Sequence, residues 1–443
     1  MRKLLLWALA VPVFAQDPLS LHEAVRLALR ENKAIAATNA GIRAATTRID
    51  EARAGRLPKL NYSESFTRSD NPVFVFSSLL TQRQFGVENF NIGPLNRPDS
   101  LNNFQSQLTV EQILYDAGQT RNAVKSADLS RQMSGEELRR TQMQVIAGVV
   151  RAYYGAILAA ESLKTAEQAL RSAEADLTRA ESVHTAGMST DVDVLSIRVH
   201  LAAVTEQRIQ RAADLEVAKS ALNDALGLPL DTGHVLATSL VPIDLPVLTL
   251  ASLEKDASAT RPEARQIHLA ADLAKTQADS ARSALLPQVT FRAAFEADRQ
   301  RFVDRGGANW LASVGLHWNL FNGLADKARI EESSHWLERA HADEQRMDSA
   351  VRLEMRRAWA DLRAARERID VAKAAVAEAE ESLRITQNRY ESGMSNVTDL
   401  LRNESALLES RTRYLAAVHD QRIAATMLEL AAGRLSADSE VLN

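Results

Sequence analysis

The 443-residue chain carries 17 Gly, 11 Pro and no Cys, with 5% aromatic residues, 25% charged residues and a net charge of −4. Punctuation this sparse excludes a mosaic of short elements, and the charge excludes a generic basic surface for nucleic acid. Without cysteine there can be no disulfide framework, no thiolate metal site and no lipid-modified N-terminal Cys.

Residues 1–15 read as a secretory signal. Arg2 and Lys3 form a basic start, Leu4 to Val13 an apolar run, and Val13-Phe14-Ala15 a small-residue cleavage site. No later run approaches the ~18 apolar residues of a membrane-spanning helix. Ser20-Leu21-His22-Glu23 has the form of a capping box and opens a helix with Ala24, Leu27 and Ala28 on one side. A second helix is expected over Lys33 to Arg56 and stops at Leu57-Pro58.

There the period changes to two. Leu60, Tyr62 and Phe66 alternate with Asn61, Ser63, Ser65 and Thr67, which predicts a strand over about 60–68. Glu64 falls on the apolar side and leaves that register the least secure. A long polar and aromatic loop is expected over 71–103. A second strand over 104–114 then places Phe104, Leu108, Val110 and Leu114 opposite Gln105, Gln107, Thr109 and Glu111.

Tyr115-Asp116-Ala117-Gly118 leads into a helical hairpin over 119–226, with a long outgoing helix to about His184 and a return helix from Asp191. Within it Leu163, Ala166, Leu170, Ala173, Leu177, Ala180 and His184 are spaced 3,4,3,4,3,4, the a/d seam of a supercoiled helix pair. Alanine at many seam positions predicts close packing. After a Pro-marked linker the same order returns. Strands are expected over about 288–297 and 310–320, with Trp310 and Trp318 on the apolar face, then a second hairpin over 324–433. A shift of 206 carries His-Thr-Ala-Gly-Met-Ser at 184–189 onto Tyr-Glu-Ser-Gly-Met-Ser at 390–395, and the seam onto Ile369, Ala372, Val376, Ala379, Leu383, Thr386 and Tyr390. The 69 residues from Leu324 to Ser392 contain no Gly or Pro. At ~1.5 Å per residue they make a helix about 100 Å long.

The chain thus divides into a signal (1–15), a first repeat (16–228), a linker (229–249), a second repeat (250–434) and a short tail (435–443). The first repeat carries an insertion after Arg68 that the second lacks. Each repeat offers two alternating strands of about ten residues, the length of a tilted strand crossing an outer membrane. Four strands cannot enclose an interior, for which about eight are needed, and lipid tolerates no open edge. A membrane-spanning chain of this kind must oligomerise; three copies would supply twelve strands.

The order of elements, the duplication, Leu-Pro before each first strand, Leu-Tyr-Asp-Ala-Gly before the long helix and Gly-Met-Ser at both hairpin tips resemble the TolC-type outer-membrane efflux family over essentially the whole mature chain. The resemblance implies a mainly α fold with a transmembrane β part. Duplicated long hairpins would form an α-barrel, and four strands per chain would join a shared 12-stranded barrel in a homotrimer. It implies a passive conduit from periplasm to exterior in a tripartite efflux or type I secretion system. The partners would be a periplasmic adaptor, an inner-membrane transporter and outer-membrane lipid, with no cofactor and no nucleic acid.

The family's tips meet the adaptor, which transfers to Gly187, Met188, Ser189, Gly393, Met394 and Ser395; the glycines also serve as the φ > 0 residues of a tight turn. An acidic ring closes the family's periplasmic aperture. Asp399 matches its first position and Asp193 is the counterpart in the first repeat. Where some members carry a second Asp three residues on, this chain has Arg402 and Ser196, which allows an Asp–Arg contact instead of a double ring. Both acids equally suit the positive end of a helix start.

Enzymatic readings lack support. Gly-x-x-x-x-Gly-Lys, His-Glu-x-x-His and Gly-x-Ser-x-Gly are absent, and the nine His are scattered. His335 and His341, six apart, lie on different sides of a helix, so a metal pair is not expected. The alternative from another class is a secreted periplasmic coiled-coil scaffold without a pore, for which the alternating strands would have no use.

Overall fold

A computed structural model describes residues 18–244, 249–304 and 306–442. The expected signal at 1–15 lies outside them. The described residues form two compact units, one within 18–40, 135–266 and 345–442, the other within 41–134 and 267–344.

The second unit holds the sheet. Four strands, β1 (Lys59–Ser69), β2 (Leu101–Tyr115), β3 (Gln288–Arg299) and β4 (Gly307–His317), pair antiparallel in the order β1-β2-β3-β4, leaving β1 and β4 as edges. Pairings such as Tyr62↔Leu108, Leu108↔Phe295 and Phe295↔Trp310 put Leu60, Tyr62, Phe66, Phe104, Val110, Val314 and Leu316 on one face. The other face is polar, with Arg292 and Glu111 paired at 3.7 Å and Gln105 donating to Glu296 at 3.4 Å. A bulge between Ile113 and Tyr115 ends the alternation of β2 early.

Glu64 sits on the apolar face as the alternation requires, so the register of β1 stands. Its carboxylate accepts from Tyr62 Oη at 2.7 Å, Ser106 Oγ and Arg299 at 2.9 Å, which satisfies a charge that lipid would otherwise penalise. Arg299 also lies over the Phe302 ring. β4 ends at His317, so Trp318 and Leu320 lie beyond the strand expected to reach 320. The Trp318 indole instead donates to the Leu285 carbonyl at 2.9 Å. Trp310, 80% exposed on the apolar face, and Trp318 therefore flank opposite ends of β4.

The segment expected as loop over 71–103 is partly helical: α3 spans Pro72–Thr81 and α4 Ile92–Asn96. Asn71 caps α3 by accepting from the Val73 and Phe74 amides, and Pro72 takes the first helical position, where its missing N–H costs nothing. α3 packs against β2, β3 and β4 on the polar face. Gln82 donates to Asn103 at 2.9 Å, Asn103 donates to the buried Asp298 at 2.7 Å, and Arg83 donates to the Ala308 carbonyl at 3.0 Å. The residues present only in the first repeat thus lie over one end of the polar side of the sheet.

The first unit holds the main core and the hairpins from residues 135 and 345 onward. α5 (Gln119–Thr185) returns through α6 (Asp191–Leu226), and α9 (Ala325–Glu391) through α10 (Val397–Ala431). α5 is apolar enough over eighteen residues to cross a membrane, but its Ile146, Val149, Val150, Tyr153 and Tyr154 are buried core. Against them pack α1 (Leu21–Glu31), started by the Ser20–Glu23 capping box, α7 (Leu250–Thr260), and Val441 and Leu442 from the tail. The linker is strapped down: Gln421 donates to the Ile243 carbonyl and Arg422 to the Val241 carbonyl, both at 2.9 Å.

The duplication extends into packing. Gly227, at φ +78°, lies so close to the end of α1 that a Cβ would meet the Glu31 carbonyl oxygen at 2.9 Å. At its counterpart Gly433 a Cβ would meet the backbone of Arg261 at 2.8 Å, between α7 and α8 (Pro262–Ser283).

Candidate functional site at the hairpin tips

Both tips are built alike. Gly187 (φ +77°) donates to the His184 carbonyl at 2.8 Å and Met188 to Val183 at 3.1 Å; Gly393 (φ +69°) donates to Tyr390 at 3.0 Å and Met394 to Arg389 at 2.8 Å. These paired bonds take up the last carbonyls of each outgoing helix and need a left-handed residue at the glycine. The turn pushes Met188 and Met394 outward, 75% and 64% exposed. Each tip thus holds a flexible, apolar thioether in solvent.

The return helices open on caps. Thr190 accepts from the Asp193 amide while the Asp193 carboxylate accepts from the Thr190 amide at 3.1 Å, Thr190 Oγ1 at 2.8 Å and Ser189 Oγ at 3.2 Å. The Thr190 amide and hydroxyl hold the Asp193 carboxyl below the usual carboxylate range. In the second repeat Asn396 Oδ1 accepts from the Asp399 amide at 2.8 Å, and Ser395 donates to the Asp399 carboxylate at 3.3 Å. Asp193 and Asp399 thus both serve their helix starts. Arg402 is exposed and forms no ion pair with Asp399 among the described residues, so the expected Asp–Arg contact is not made within one chain.

The two hairpins meet just behind the tips. Ala180, Val194, Ile197 and Val397 form a small buried cluster with Leu177, Tyr390 and Leu401, and Arg179 pairs with Glu391 at 2.7 Å. Burial and the nearby Asp193 and Asp176 carboxyls push the Tyr390 hydroxyl upward.

One group of residues there escaped the sequence. Asp176 on α5, 6% exposed, lies near the Glu404 carboxyl of α10, and His200 Nε2 on α6 is 3.2 Å from Glu404. Burial and the Glu404 carboxyl push Asp176 up to about 7, while His200 and Asp176 hold Glu404 low against its own burial. The available signal was the mismatch of repeats: the shift of 206 sets Asp176 against Ser382, His200 against Ala406 and Glu404 against Arg198.

Residues 24–228 and 253–434 match the family model described as outer membrane efflux protein. The chain belongs to that family. Among relatives of this outer membrane efflux protein, Protein CyaE of Bordetella pertussis is 28% identical over 433 residues, covering 97% of this chain and 87% of that one. Alkaline protease secretion protein AprF of Pseudomonas aeruginosa is 23% identical over 402 residues, covering 88% and 79%. The fold is that of the CmeC outer membrane channel of Campylobacter jejuni, with a TM-score of 0.80 at 16% identity over 95% of this chain and 87% of that one. The efflux protein described here is therefore an outer-membrane channel component, mainly helical with a four-stranded antiparallel sheet.

Proposed function

We propose that three copies assemble into one passive conduit, with a 12-stranded barrel in the outer membrane, and that the hairpin tips receive a periplasmic adaptor linked to an inner-membrane transporter. The observation that carries this is the sheet. It has one apolar and one polar face, and both edges, β1 and β4, lack a neighbouring strand among the described residues. Unpaired edges are not stable in lipid, where each open backbone group costs several kcal/mol, so the edges must be closed by other copies. The exposed methionines support the adaptor role of Gly187, Met188, Ser189, Gly393, Met394 and Ser395. Asp193, Asp399 and Arg402 are proposed to line the aperture that the tips surround; Arg402, exposed and without an ion pair to Asp399 among the described residues, would answer an acid of a neighbouring copy.

The test is purification from the outer membrane in detergent, native mass measurement and reconstitution into a planar bilayer. A three-chain particle that passes ions is expected. A monomer that is electrically silent would return the chain to the reading of a coiled-coil scaffold.

A further inference from the structure

The polar face of the sheet ends, on the side away from the long helices, in a relay of amides that leads to a buried acid. Gln82, which closes α3, donates its Nε2 to the Asn102 carbonyl and to Asn103 Oδ1, both at 2.9 Å, and Asn103 Nδ2 donates to Asp298 Oδ1 at 2.7 Å. These bonds fix which end of each amide is oxygen, because turning either over would set two acceptors against each other. The relay stops there. Asp298 is 1% exposed and Gln82 2%, and Asp298 Oδ2 and Gln82 Oε1 are closed to solvent with no hydrogen-bond partner among the described residues. The nearby cations are engaged elsewhere. Arg83 donates to the Ala308 carbonyl, Arg301 pairs with Asp304, and Arg299 serves Glu64 on the opposite face.

Backbone oxygens gather at the same corner. Thr81 ends α3, and its carbonyl lies against Gly307, where a Cβ would overlap it. Gly307 is the ladder partner of Asp298, so the missing side chain admits the negative end of the helix to the strand that carries the acid. The Asp298 carbonyl lies against Gly306 in the same way. None of this belongs to the repeated plan: the shift of 229 sets Asp298 against Ser69, and Gln82 lies in the insertion that the second repeat lacks.

A buried carboxylate without a counter-charge is costly, and where every free group is an oxygen the charge that fits is a hard cation. We propose that Asp298 Oδ2 and Gln82 Oε1, with the Thr81 and Asp298 carbonyls beside them, bind one Ca2+ ion that pins the insertion to the sheet. Ca2+ accepts carboxylate, amide and backbone oxygens in an irregular shell. Mg2+ needs octahedral geometry and keeps several of its own waters, which oxygens closed to solvent do not allow. Zn2+ and Cu2+ favour imidazole or thiolate, and this set has neither. The site lies within one chain and depends on neither the conduit nor the adaptor.

The full chain, purified in detergent and stripped with EDTA, is titrated with CaCl2 by calorimetry and melted with and without the ion. One Ca2+ per chain that Asp298→Asn removes is expected, with a melting temperature that climbs with Ca2+ concentration in the native protein and not in the variant. Asp298→Asn keeps an acceptor for Asn103, so the relay survives it. Trypsin should cut after the exposed Arg83 and Arg97 in EDTA and spare both in Ca2+. MgCl2 should bind at least about tenfold more weakly. Native protein that neither binds Ca2+ nor gains stability from it overturns the site. So does Ca2+ binding that survives Asp298→Asn, which would belong to acids elsewhere in the chain, and so does an equal affinity for Mg2+. Should Asp298→Asn fail to fold, Gln82→Met decides: the carboxylate remains, the Ca2+ affinity must fall at least about tenfold, and an unchanged affinity rejects the proposal. Bilayer current is read separately, so a failure here leaves the conduit as it stands.

Discussion

At Gly187 the backbone needs φ +77° but nothing lies within 4 Å of where a Cβ would be, whereas at Gly227 a Cβ would strike the Glu31 carbonyl. Gly187→Ala should therefore cost only the left-handed penalty, about 1 kcal/mol, and leave a folded protein. Gly227→Ala adds a backbone clash in the main core and should lower the unfolding temperature well beyond it, as a thermal melt in detergent can measure. Met188 and Met394 touch nothing that holds the fold, so Met188→Asp with Met394→Asp should abolish adaptor crosslinking while the channel stays assembled. Unchanged crosslinking would remove the tips from the docking surface. The Asp399 carboxylate accepts from Ser395 at 3.3 Å. Asp399→Ala should lower block by multivalent cations and raise single-channel conductance if Asp399 faces the pore, and leave both unchanged if it serves only the helix start.

At the scale of elements, the hairpins were the most legible part, because a 3,4 spacing of Leu and Ala continues for many turns and is repeated. α9 runs within a residue of the Gly- and Pro-free stretch from Leu324 to Ser392, whereas α5 carries Gly135, Gly148 and Gly155 inside it. The insertion was not legible. Its run Pro-Val-Phe-Val-Phe falls in the stretch expected as a polar and aromatic loop, although Asn71-Pro72 is a helix start and the apolar residues needed a sheet to lie on. Nor were Asp176, His200 and Glu404, because packing brings together charges from three helices that no spacing relates. Glu64 looked like an error of register and proved to be part of a polar patch on an apolar face. Arg299→Leu should leave that carboxylate with only the Tyr62 and Ser106 hydroxyls and lower the melting temperature, whereas Glu64→Leu with Arg299→Leu should recover most of the loss. If the double variant melts as early as the single one, the ion pair is not what offsets Glu64.

For the whole molecule the question is what covers β1 and β4. An edge strand open to solvent tolerates proline at alternate positions, those whose N–H points away from the sheet, whereas a strand paired on both sides tolerates it nowhere. Ala312 and Ser313 are consecutive on β4, so their N–H groups point in opposite directions, one toward β3 and one outward. Ala312→Pro and Ser313→Pro, made one at a time, therefore ask the same question from both sides. Within a single chain, one of the two breaks nothing. In a closed barrel the outward N–H is bonded to the β1 edge of the next copy, and both variants should fail to appear as assembled particles in the outer-membrane fraction. If one assembles at native yield and conducts, the β4 edge is unpaired and the wall around the pore is made in some other way.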